Sequence, residues 1–87
     1  MVVMRPRCPE FEKWGARWEC LIGYEVLRNG WWFALHDITD GGSEMVLFAF
    51  RPDATGVLEI TQARNPLPAE MVAWFAQEAA EAIPPVA

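Results

Sequence analysis

His36, Ser43 and Asp37 are the three residue types of a hydrolytic triad, and they fall within eight positions of one another. A nucleophilic serine needs a base within hydrogen-bond reach and a carboxylate behind that base. Residues 36 and 37 end an apolar alternating run that reads as a strand, where neighbours point to opposite faces. Asp37 is therefore expected to miss the His36 ring, and no catalytic group is assigned. Cys8, Cys20 and His36 could in principle hold zinc, but they match no short paired ligand spacing and lack a fourth ligand. The run from Asp37 to Glu44 gathers acids and a hydroxyl without the alternate spacing of a calcium loop. Gly41-Gly42 joins two strand patterns rather than a strand and a helix, which does not make a phosphate cradle. No cofactor and no metal are expected.

The elements that would position these residues can be read from periodicity. With 87 residues the chain is read as a single domain, 1–87. Residues 1–8 read as an N-terminal arm. Phe11, Trp14 and Trp18 recur at helical spacing behind Pro9, so 9–18 reads as a short helix or an arm, with Gly15 against the helix. Residues 19–62 read as a four-stranded antiparallel β-meander. Its first turn is Asn29-Gly30, taken as a two-residue type I′ loop that pairs Leu27 with Trp32 and Tyr24 with Leu35. The run 44–51 is apolar on both faces, Met45/Leu47/Ala49 and Val46/Phe48/Phe50, so it should be covered on both sides. A polar fourth strand over 57–62 should lie at an edge. Pro68 opens an amphipathic helix over 68–83 whose one broad apolar face holds Met71, Val72, Phe75, Ala79, Ala82 and Ile83. The expected fold is α+β: a four-stranded meander packed by a C-terminal helix.

Charge narrows the partners. The net charge is −5, the isoelectric point is near 4.7, and there is one lysine. Residues 1–30 carry five basic residues against four acids, whereas 31–87 carry two against eight. A phosphate-backbone binder usually shows a basic face, so nucleic acid is not expected as a ligand. A field of this sign favours a basic partner. Arg5 interrupts the apolar start before a signal core could form, and no run is long enough to span a membrane. Cys8 and Cys20 are too few for a disulfide framework and fit a cytoplasmic location as reduced thiols; a Cys8–Cys20 bridge would need an oxidising compartment.

Apolar residues make up 53% of the chain, including five Trp and five Phe, more than one small core readily hides. Exposed aromatics are enriched in interface hot spots. The expected function is therefore a non-enzymatic protein-binding module: an inhibitor, immunity-type protein or adaptor docking a larger, basic partner. A bacterial or phage inhibitor of a nucleic-acid-handling complex, with acids imitating phosphates, is one version. The candidate contact residues are Trp31, Trp32 and Leu27 around the first hairpin, His36, Asp37, Asp40 and Glu44 around the second turn, and Trp74 and Glu78 at the helix margin. A homodimer with a structural or regulatory role is the second class. The third is a small-ligand binder or enzyme in which His36 and Glu25 line a pocket.

Overall fold

The computed structural model describes residues 2–6 and 10–84, with side chains over 10–84. Its strands are β1 (Val2–Pro6), β2 (Phe11–Lys13), β3 (Ala16–Glu25), β4 (Gly30–Asp37), β5 (Glu44–Pro52) and β6 (Glu59–Gln62), followed by helix α1 (Ala69–Ala82). Every pairing is antiparallel, in the order β1-β3-β4-β5-β6. Trp18 pairs with Phe11 on one side and Asp37 on the other, so β2 shares the β1 side of β3. Six strands thus fill five positions in the sheet. The α+β class, the antiparallel sheet and the C-terminal helix are as expected. The strand count is not, because residues 2–6 and 11–13 add pairing where an arm and a helix were read.

The helix expected over 9–18 is a hairpin across its described residues. Lys13 pairs with Ala16, and the two residues between them, Trp14 and Gly15, have φ of 52° and 76°. Positive φ at both central positions is what a two-residue turn needs to match strand twist. Gly15, which opposes a helix, is what lets the turn close. The hairpin also unites the apolar residues, since Phe11 lies opposite Trp18.

The first long hairpin differs in register. Glu25 pairs with Gly30 and Tyr24 with Trp31, leaving residues 26–29 as a four-residue loop. Asn29 (φ 49°) supplies its left-handed residue and donates its amide to Val26 O at 3.3 Å. Gly30 is needed for space instead: a Cβ there would sit 2.5 Å from Phe50 Cζ and 2.6 Å from Arg51 O. The displacement is an even number of residues, so each side chain keeps its expected face although its partner changes.

One face of the sheet and α1 enclose the main core: Trp18, Cys20, Ile22, Phe33, Leu35, Val46, Leu47, Ala49, Met71, Phe75, Ala79 and Ile83. Met71, Phe75 and Ala79 recur at i, i+4 and i+8, and the Phe75 ring lies 5.4 Å from that of Phe33. Burying such a ring contributes about 1.5–3 kcal/mol. Pro68 precedes the helix; at its other end Arg51 Nη1 donates to Ile83 O and Pro84 O, both at 3.2 Å. No helix among the described residues is long and apolar enough to cross a membrane.

The alternation expected for 44–51 is broken by a bulge. Leu35 pairs with Leu47 but His36 with Met45, leaving Val46 as the extra residue. Val46 and Leu47 both enter the helix-side core, and Met45 is left on the other face with Phe48 and Phe50.

Candidate interaction face

The sheet face away from α1 carries a smaller cluster, Trp32, Ala34 and Phe50, with Leu21 and Phe48 packed partly against it. Register orders it. Gly23, Trp32, Phe50 and Glu59 form one row across four strands, and Leu21, Ala34, Phe48 and Thr61 form the next. Glu19, His36 and Met45 make the row beyond. The Trp32 and Phe48 rings stack at 6.2 Å and 21°, and the Arg28 guanidinium lies 4.2 Å above the Phe50 ring. Trp32 and Phe50 are nearly buried by these neighbours, while Met45 is 39% exposed. Among the described residues, no second helix or sheet covers this face.

A depression of about 280 Å³ opens there, lined by Glu25, Arg28, Trp32, Ala34, His36, Met45 and Phe48. Ala34 is the small residue among large ones, flanked by Trp32 and His36 along its strand and by Leu21 and Phe48 across it. Glu25 and His36 both line the depression, although His36 pairs with Glu19 and Glu25 with Gly30, three rows apart. Glu25 Oε1 accepts the Leu27 amide at 3.3 Å.

The nine residues singled out from sequence do not form one surface. Trp32 and His36 lie on the open face. Trp31 is not at a hairpin tip; it is a half-buried strand residue on the helix side, 5.5 Å edge-on to the Tyr24 ring. Leu27, 88% exposed, sits in the 26–29 loop and does not pair with Trp32, whose β3 partner is Gly23. Trp74 is half-buried, its ring 5.5 Å from Phe11 and 5.7 Å from Trp14. The Phe11–Trp18 segment thus folds onto the helix side. Glu78 is half-buried on α1, and Asp40 is exposed with φ 57°.

Asp37 and Glu44 pair across the end of the β4–β5 hairpin, and Arg64 bridges both. Arg64 Nη1 lies 2.9 Å from Asp37 Oδ2, and Asp37 Oδ1 accepts the Thr39 amide at 2.9 Å. The Thr39 hydroxyl and amide, with Arg64 behind them, hold the Asp37 carboxyl below its ordinary range. Glu44 and Asp37 in turn raise the Arg64 guanidinium. One guanidinium shared by two carboxylates leaves this cluster with a single net negative charge. Arg17 does the same for Glu10 and Glu12, at 3.0 and 2.9 Å.

His36 Nδ1 lies 3.2 Å from Ser43 Oγ. Asp37 points to the opposite face and is held by Thr39 and Arg64, so the three residues do not line up. Among the described residues, no group of three or more His, Cys, Asp or Glu side chains is placed to hold a metal ion. Cys20 is buried in the main core, and Cys8 lies outside the described residues.

Sequence reasoning missed Arg64 as a charge hub, since it is 20 or more residues from both its partners. It also missed Met45 on the open face, because only the bulge puts it there; a run apolar on both sides was the available signal. Comparisons with protein-family models, curated proteins and solved structures find no match to this chain.

Proposed function

We propose that this chain is a non-enzymatic protein-binding module that docks a larger partner through the sheet face opposite α1. The observation that carries the reading is a second apolar cluster, Trp32, Ala34 and Phe50 with Leu21 and Phe48, beside the exposed Met45 and with no second helix or sheet over it among the described residues. A stacked aromatic pair beside an exposed methionine and a polar rim is the composition of an interface core. Packing on the helix side adds support: the Phe11 and Trp14 rings close on Trp74 there, whereas Met45, 39% exposed, lies on the open face.

The partner's surface is basic. Glu19, Glu25 and Glu59 fall on the open face by register, and none of the three has a cation at ion-pair distance among the described residues. Arg64 offsets one of the two charges of Asp37 and Glu44 at the neighbouring hairpin end. The reading is therefore an inhibitor, immunity or adaptor role directed at a basic protein surface.

The test is capture from the source cells with tagged wild-type chain and the Met45→Glu/Phe48→Glu variant side by side. Both sites are at least partly exposed, so the variant should keep its circular dichroism spectrum. One protein recovered by the wild type, lost by the variant and released by rising salt is the expected result. Equal recovery by both chains would contradict the reading. A wild-type dimer in light scattering that the variant breaks would replace it with self-association.

A further inference from the structure

The open face also has a chemical preference, and naming it rests on the docking role just proposed. We infer that the depression over Ala34 takes a lysine or arginine side chain of the partner, its alkyl stem on Trp32 and Phe48 and its cation against Glu25.

Three independent features meet there. The first is shape: Ala34, walled by Trp32, Phe48, His36 and Met45, leaves about 280 Å³, room for one long side chain and not for a second layer. The second is the floor. Stacked aromatic rings offer negative faces to a cation, and long basic side chains lay their apolar stems on such surfaces. The chain already does this to itself, since Arg28 sits 4.2 Å over Phe50 in the row next to Ala34.

The third is charge. Glu25 is half-buried at the mouth of the depression, its carboxylate engaged by the Leu27 amide at a long 3.3 Å. Covering it with an apolar side chain would strip its water and return nothing, a cost that a cation removes. An anion would meet Glu25 at once, with Glu19 and Glu59 on the same face. Arg28, the one guanidinium lining the depression, sits over the Phe50 ring, and Glu25 is the one carboxylate lining it. Arg17, on the same face by register, is taken up by Glu10 and Glu12.

The experiment is a two-dimensional NMR titration with three capped amino acids: N-acetyl-arginine amide, its apolar counterpart N-acetyl-norleucine amide, and N-acetyl-glutamate amide. The arginine probe should shift the Trp32 indole and the Ala34 and Phe48 amides saturably, with the other two much weaker. Glu25→Gln should weaken the arginine probe about three- to tenfold, as expected when a charge-assisted contact turns neutral. Well-dispersed spectra of the variant establish that it is folded. Shifts confined to other residues, an equal response to norleucine amide, or no change with Glu25→Gln would each overturn the inference. A response to norleucine amide alone would remove the cation while leaving the face as a docking surface, which the capture experiment decides separately.

Discussion

The Trp32 and Phe48 rings stack 6.2 Å apart on the side of the sheet that α1 does not reach. They come from adjacent strands, yet they are not direct cross-strand partners: Trp32 faces Phe50, and Phe48 faces Ala34. The diagonal arrangement brings both rings around Ala34, which is only 1% exposed, and the depression is lined by all three. Along the same two strands the opposite faces hold Phe33, Leu35, Leu47 and Ala49 against the helix. Both strands are thus apolar on both faces along their middles, but only one of those faces is covered by an element of the described chain.

Gly30 is the most stringent position in the hairpins. Its absent Cβ makes room for the Phe50 ring and the Arg51 carbonyl, and the carbonyl cannot move without disturbing the β4–β5 ladder. Gly30→Ala should destabilise the fold by about 1–3 kcal/mol, the cost of forcing atoms into a packed site. Chemical denaturation should show the midpoint falling with the slope unchanged.

The Asp37 carboxylate, held first by Thr39 and then by Arg64, makes an acid-sensitive contribution. Because the folded state depresses the Asp37 pKa, the stabilisation is fully present above the carboxylate's unfolded value near 4 and is lost as pH falls through the lower folded value. Asp37→Asn should cost about 1 kcal/mol at pH 7. The difference between wild type and variant should shrink below about pH 4. Urea unfolding at pH 7 and pH 3 measures both, and a difference that grew on acidification would show the sign to be wrong.

The aromatic contact between the first hairpin and the helix can be tested at Trp74. Trp74→Ala removes its rings' contacts with Phe11 and Trp14 and should cost about 2–4 kcal/mol, less than a fully buried aromatic because Trp74 is only half-buried. Trp14 sits at positive φ with a buried indole N–H that has no partner among the described residues. Trp14→Asn should therefore cost less than Trp74→Ala, since asparagine tolerates that backbone and returns part of the lost packing. Thermal unfolding of the two variants gives the order directly.

What the sequence made legible was whatever depends on local period. The C-terminal helix, the edge position of β6 and the separation of Asp37 from His36 all follow from spacing of two or 3.6 residues. What it concealed depends on coincidence between periods or on distant pairing. Phe11, Trp14 and Trp18 satisfy a helix, but a hairpin with its turn at Trp14-Gly15 unites them equally well. Asn29-Gly30 has the composition of a two-residue turn, while the packing of Phe50 against Gly30 selects a four-residue loop and a different register. Met45 changed faces through one bulged residue. Arg64 reached Asp37 and Glu44 only once the sheet had formed. The open face itself was foreshadowed by a strand apolar on both sides; its depression was not.

Side-chain oxidation gives the most direct reading of whether this face docks a partner. Met45 is 39% exposed and Met71 is 2% exposed, so one chain carries both a reporter on the open face and an internal reference in the core. Hydroxyl-radical footprinting of the free chain and of the captured complex should show Met45 oxidation falling several-fold on binding, Phe48 protected with it, and Met71 unreactive in both. Met45 remaining as reactive in the complex as in the free chain, with protection appearing instead along α1 or β6, would contradict the assignment of the open face as the binding surface.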